Sequence, residues 1–337
     1  MRAPAFWWLP RSSFMANLLR PAASVYGAIA GHRMRQHGER AALPVVCIGN
    51  FTAGGAGKTP TALAVAEILD AAGESPAFLS RGYGGNLRGP VQVQPQHKAG
   101  DVGDEPLLLA AMAPAIISAD RPAGARLAHE IGATVLIMDD GLQNPSLRKD
   151  CTIAVVDGVT GIGNGLPLPA GPLRAPMPAQ WPAVDAVLVI GTGAGGTSVA
   201  DLAHHWGKRV FSGHLAPGRA LADALRGRRV LAFAGIGRPE KFFETLRACG
   251  AILEETRAFP DHHPYTLADL DELRRQAASR GLQAITTEKD FVRIAGLNGP
   301  GAWTDLMVLP VRLHLHDENG LRNFILRKIG DRRLSRP

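Results

Sequence analysis

A few polar residues, widely separated along the chain, could together move a phosphoryl group. Lys58-Thr59 follows the glycine-dense turn Thr52-Ala53-Gly54-Gly55-Ala56-Gly57 and precedes a stretch where Ala62, Val65, Ala66 and Leu69 recur at helical spacing. Backbone N–H groups in such a turn, and the helix N-terminus behind it, surround phosphate oxygens. Lys58 adds positive charge and the Thr59 hydroxyl can ligate Mg²⁺. The apolar run Val135-Leu136-Ile137-Met138 ends in Asp139-Asp140, where a carboxylate can hold that cation directly or through water.

Other candidates admit two readings each. Thr52 stands where a phosphate loop usually has its first glycine, but Gly54 and Gly55 still permit positive φ and close backbone approach. Asp104 and Glu105, ahead of Pro106, either cap a helix or face the transferred phosphate. Ser80-Arg81-Gly82-Tyr83-Gly84-Gly85 follows an apolar run, the place where open α/β sheets bind ligands; a plain loop is the other reading. In the Gly/Pro-rich loop Gly163-Asn164-Gly165 to Pro172-Leu173-Arg174, the arginine is a phosphate clamp or the loop is a rigid connector. Adjacent His262-His263 cannot share one metal from a helix face, so His262 beside Asp261 reads as an acid–base, orienting or structural group.

The elements around these residues are those of an α/β protein. Short apolar runs at Val45–Gly49, Pro76–Leu79, Ala115–Ser118, Thr134–Met138, Thr152–Val156 and Ala186–Ile190 alternate with helical or loop segments. The expected fold is a P-loop NTPase-like, mostly parallel sheet flanked by helices, over residues 41–215. From Val210 the pattern restarts, and a smaller α/β domain is expected over 216–337, with single strands at 252–259, 282–287 and 307–313. Thr266 and Asp269 form a capping-box pattern ahead of a helix at 267–280.

Residues 1–40 are expected to form a separate segment. Phe6-Trp7-Trp8-Leu9-Pro10 is an aromatic knot, followed by a stripe through Phe14, Leu18, Ala22, Val25, Tyr26 and Ile29 that Arg11, Arg20, Arg33, Arg35 and Arg40 punctuate. It has no apolar run long enough to span a bilayer. It is either a helix packed on the protein or an interfacial anchor on anionic lipid.

Lys+Arg 37 against Asp+Glu 30 gives a net charge of +7, which favours anionic partners. The basic clusters are short and lack interleaved aromatics, which argues against nucleic acid. Three scattered cysteines suggest neither a disulfide frame nor structural zinc. Thr287-Glu288-Lys289-Asp290 has the wrong order for the base-reading motif of a switch GTPase. An assembly or switch NTPase and a soluble small-molecule kinase are the competing classes.

Taken in order, these motifs resemble one family, the tetraacyldisaccharide 4′-kinases of lipid A biosynthesis. Gly49-Asn50 with Thr52 to Pro60, Ser80 to Gly84, Gly103 to Pro106, Asp139 to Gln143, Leu166-Pro167 with Gly171 to Arg174, Phe233 to Gly237, Phe259 to His263 and Thr286 to Asp290 carry the match. Thr52 in place of the first glycine is itself a family trait. Ala175 departs from the family, which usually has an acidic residue there.

The resemblance implies an ATP- and Mg²⁺-dependent kinase that phosphorylates the 4′-hydroxyl of an acylated disaccharide phosphate. It would work at the cytoplasmic face of the bacterial inner membrane, against its anionic surface, with no obligate protein partner. By the same resemblance Asp104 is the catalytic base, partnered by His262 across a domain cleft. Lys58 and the loop 52–59 hold nucleotide, Thr59, Asp139 and Asp140 organise the metal, and Arg81, Tyr83, Asn164 and Arg174 meet the substrate.

Overall fold

A computed structural model describes residues 3–9, 13–297 and 303–335; Pro10 and Arg11 of the aromatic and basic N-terminal pattern lie outside them. The strands in chain order are β1 (Val45–Gly49), β2 (Pro76–Ser80), β3 (Val91–Gln92), β4 (Ala115–Ile117), β5 (Val135–Asp139), β6 (Cys151–Asp157), β7 (Ala186–Ile190), β8 (Arg209–Pro217), β9 (Arg229–Ala234), β10 (Ile252–Ala258), β11 (Gln283–Thr287), β12 (Met307–Leu309) and β13 (Val311–Leu315). They form a nine-stranded sheet, β13-β8-β7-β6-β1-β5-β2-β4-β3, and a four-stranded one, β10-β9-β11-β12. The expected α/β class and mostly parallel sheet are what the chain adopts.

β1 lies between β5 and β6 and runs parallel to both, with Ile48 opposite Asp139 and Gly49 opposite Ala154. The central strands are buried on both faces, as parallel strands covered by helices must be. Ile48, Leu136 and Ile137 are fully buried. Truncating one of them to Ala would cost about 2–5 kcal/mol, so the strand ends that carry the polar residues have a rigid floor.

One boundary differs from expectation. Met307–Leu313 is not one strand: Pro310 separates β12, in the small sheet, from β13, which pairs antiparallel with β8 in the large one. Proline offers no N–H to a ladder and fixes its own φ, so the chain can leave one sheet there and enter the other. The following helix, Glu318–Leu334, packs Leu321, Phe324, Ile325 and Ile329 into the core of the large sheet. The smaller unit is therefore an insertion between β8 and β13 and does not run to residue 337.

The N-terminal helix Phe14–Met34 is capped by the Ser13 side chain and holds Pro21 in its interior rather than at its start. Its buried residues are small: Ala16, Ala23, Gly27 and Gly31. A Cβ on Gly27 or Gly31 would meet Pro176 and Ala179, so the helix lies close against the segment after Arg174. Its large apolar side chains point the other way, with Phe14 80%, Leu18 62%, Val25 63% and Ile29 58% exposed. That is the reverse of a helix packed on a soluble core.

Candidate active site

The turn after β1 is a phosphate-loop shape built with help from elsewhere. Gly57 has φ +93°, and a Cβ there would stand 2.6 Å from Ile190, so only glycine fits. The helix Lys58–Asp70 begins without a side-chain cap, leaving its first-turn N–H groups for a ligand. Buried Asn50 braces the turn from within: its Nδ2 donates to the Thr52 carbonyl at 2.7 Å and to that of Gly54 at 3.3 Å, while Lys58 donates to its Oδ1 at 3.3 Å.

The Gly/Pro loop docks on the other side. Ala53 N–H donates to the Pro172 carbonyl at 2.7 Å and Arg174 N–H to that of Phe51 at 2.9 Å. The Arg174 guanidinium therefore reaches both the Thr52 carbonyl, at 3.1 Å, and Asp140, at 2.8 Å. Asn164, expected at the substrate, does something else. Its Nδ2 donates to the Ala170 and Phe6 carbonyls and its Oδ1 accepts from Leu166 N–H. A carboxamide so committed organises the loop and ties it to the N-terminal segment. Ala175 is fully buried, and its carbonyl accepts from Gln180.

Asp139 and Asp140 stand beside this loop in different environments. Asp140, at φ +54°, faces Lys58 at 3.6 Å and Arg174 at 2.8 Å. Burial opposes its charge, but those cations win and hold it below the ordinary value. Asp139 is only 4% exposed, and its Oδ1 has no hydrogen-bond partner. Burial pushes its pKa up to about 6 against the pull of Lys58. A buried carboxylate oxygen left bare, next to the Lys58-Thr59 turn, fits a cation ligand. Among the described residues no three His, Cys, Asp or Glu side chains are grouped to hold a metal by themselves. A Mg²⁺ here would take its remaining ligands from Thr59, phosphate and water, as that ion commonly does.

Across from these, Asp104 opens the helix Asp104–Ala110, and its Oδ2 lies 3.2 Å from His262 Nδ1 on the smaller unit. A carboxylate only accepts, so Nδ1 carries the hydrogen. Burial disfavours the Asp104 anion, yet the His262 hydrogen bond, a contact with Glu105 and the Lys289 ammonium outweigh it and hold the carboxyl well below its usual range. The same hydrogen bond raises His262. At Gly103, φ is +92° and a Cβ would stand 2.5 Å from the Tyr83 carbonyl, so the Arg81–Gly85 loop lies directly against the Asp104 helix. The Tyr83 ring meets His262 edge-on at 5.6 Å, and Arg81 and Tyr83 line a cavity of about 220 Å³. His263 is turned away, bonded to Asp269 at 3.2 Å and stacked on Phe259.

The family-model comparison identifies the scaffold. Residues 15–330 match the model described as tetraacyldisaccharide-1-P 4′-kinase. The chain belongs to the tetraacyldisaccharide 4′-kinase family. It is 59% identical to the tetraacyldisaccharide 4′-kinase of Methylobacterium sp. (strain 4-46), covering 94% of this chain and 93% of that one. To that of Rhodopseudomonas palustris (strain BisA53) it is 50% identical, over 98% and 96%. Among solved structures, an LpxK from Aquifex aeolicus in complex with ATP superposes with a TM-score of 0.74 at 25% identity, covering 94% of this chain and all of that one. Membership makes the chain an ATP- and Mg²⁺-dependent kinase of lipid A biosynthesis.

Contacts that the motifs do not announce also bind the kinase together. Asp157, at the end of β6, is met by Arg238 at 2.9 Å and by Lys241, and Arg238 donates to the Gly55 carbonyl at 2.7 Å. Burial disfavours the Asp157 anion, but Lys241, the Thr160 N–H and Arg238 hold its pKa down to about 2. Lys289 donates to Glu105 at 2.6 Å. Asp157 ends an apolar strand as Asp139 does, so one signal marks both. Lys289 lay inside Thr286–Asp290, but nothing in the spacing paired it with Glu105.

Proposed function

We propose that the carboxylate of Asp104 takes the proton of the 4′-hydroxyl of an acylated disaccharide 1-phosphate, oriented by His262. The observation that carries this is the 3.2 Å contact between them, which spans the two units. Lys58 and the backbone of 53–57 hold the terminal phosphates of ATP, and Arg174 neutralises charge as the phosphoryl group leaves. Thr59 and Asp139 would hold Mg²⁺, which would supply charge neutralisation on the phosphates. Asp140 acts as the counter-ion that keeps Lys58 and Arg174 in place. Arg81 and Tyr83 meet the sugar and its anionic groups. An Asp of low basicity suffices, because a loose transition state lets the hydroxyl lose its proton late.

Purified enzyme given γ-labelled ATP and tetraacyldisaccharide 1-phosphate should place label on the lipid's 4′-oxygen. ATP hydrolysis with no label in lipid would overturn the transferase reading in favour of a switch.

The N-terminal helix supports a membrane-surface location at the cytoplasmic face of the inner membrane, on anionic lipid. Among the described residues no helix is long and apolar enough to cross a membrane. The helix instead turns Phe14, Leu18, Val25 and Ile29 outward, the arrangement of a segment lying in the interface. Replacing Leu18 and Val25 by Glu should release the enzyme from anionic vesicles in a flotation assay. Unchanged flotation of the double variant would count against the anchor.

A further inference from the structure

Asp104 also faces an arginine of the smaller unit. Arg293, on the helix Glu288–Ala295, places Nε 3.3 Å from the same Oδ2 that His262 contacts; this is a charge contact, because the Nε hydrogen donates to the Lys289 carbonyl at 3.1 Å. Its side chain is only 7% exposed. Nη1 donates to the Gly235 carbonyl at 3.1 Å and the His263 carbonyl at 3.3 Å, and lies 3.4 Å from Asp290 Oδ1. Nη2 is buried with no partner. The Nε and Nη1 bonds fix the guanidinium within its own unit, where the nearest carboxylate, Asp290, is already satisfied. It accepts from Gly235 N–H and Tyr265 Oη at 2.8 Å and from Thr287 Oγ1 at 2.6 Å. The helix that carries Arg293 packs on the Asp104 helix, so the arginine is delivered to the carboxylate.

We infer that Arg293 is a positioning residue for Asp104: with His262 it occupies Oδ2 and leaves Oδ1 as the oxygen that accepts the acceptor alcohol's proton. Both contacts fall on Oδ2. A carboxylate held by one donor can rotate and exchange its oxygens. A hydrogen bond from His262 and the fixed charge of Arg293, both on one oxygen, favour a single orientation of the group. The charged neighbours are few: Glu105 and Lys289 flank Asp104, Asp261 lies 3.9 Å from His262 Nε2, and Asp290 faces Arg293. The inference rests on the reading of Asp104 as the base.

A cycle of variants with the labelled-lipid assay tests it. Arg293→Gln should lower kcat by about 10–100-fold with the KM for ATP changed less than about twofold, because the residue acts only through the base. Arg293→Lys should recover part of the loss. In an Asp104→Asn background, Arg293→Gln should lower kcat by less than about twofold more, since residues that act as a unit are non-additive. Equal losses in both backgrounds, or an unchanged kcat in the single variant, would overturn the positioning role. Should the Gln variant fail to fold by circular dichroism, Arg293→Lys run through the same two backgrounds gives the same decision. Wild-type turnover in Asp104→Asn alone would instead sink the base assignment.

Discussion

Asp104→Ala lowers turnover by about 10²–10⁴-fold, the usual span for a positioned proton acceptor, while ATP binding survives. The side chain lies against the smaller unit rather than the phosphate loop, so nucleotide affinity measured by calorimetry should stay within about threefold of wild type if the two functions are as separate as the geometry makes them. His262→Ala acts in the same direction but less strongly, because it removes the orienting donor and leaves the base. With His262 gone the Asp104 pKa rises, since the lost hydrogen bond favoured the anion. Activity at the acid end should therefore fall at a higher pH than in wild type, with little change above neutrality. A pH–rate profile of the two variants checks both statements, and wild-type turnover in Asp104→Ala would end the assignment.

Lys58→Met is the second large expectation. On the proposed role, the half-buried Lys58 ammonium would stabilise charge on the transferred phosphate in the transition state, and loss of one such donor costs about 10²–10³-fold in kcat. Here the KM for ATP should rise as well, because Lys58 also contacts Asn50 and Asp140 and helps keep the loop in shape. Lys58→Arg is not a conservative repair. The lysine is confined between Asn50 Oδ1 at 3.3 Å and Asp140 at 3.6 Å, and a planar fork needs more width than a point charge. A Met variant with unaltered kcat and KM, measured by label transfer, would mean the turn does not hold the reacting phosphate.

Much of this arrangement was legible because local signals and fold agreed. The Val45–Thr59 run carries strand, glycine turn and helix within consecutive residues, and Asp139 closes a strand that pairs beside it. The Thr266-Asp269 capping box forms as read, with both reciprocal bonds present. What could not be read were facts of three-dimensional return. No spacing says that Pro310 sends the chain back to the first sheet, or that Arg238 reaches the Gly55 carbonyl 183 residues away. Asn164 shows the opposite failure. Its loop was correctly marked as special, but a carboxamide beside glycines serves the backbone as readily as a ligand, and only the hydrogen-bond partners decide. Spacing alone does not choose between His262 and His263, although the resemblance names His262; the left-handed φ of +57° at His262 turns its ring to Asp104, while its neighbour closes the helix cap.

The chain enters and leaves the inserted unit at one place, where Val311 of β13 faces Pro217 of β8 on the outermost ribbon of the large sheet. Two tethers emerging side by side define a pivot. His262 and Arg293 both ride beyond that pivot, whereas Asp104 stays behind it. Any swing wide enough to let a bulky product leave would part both side chains from the carboxylate in a single motion, so the proposed base would lose its orientation whenever the enzyme opened.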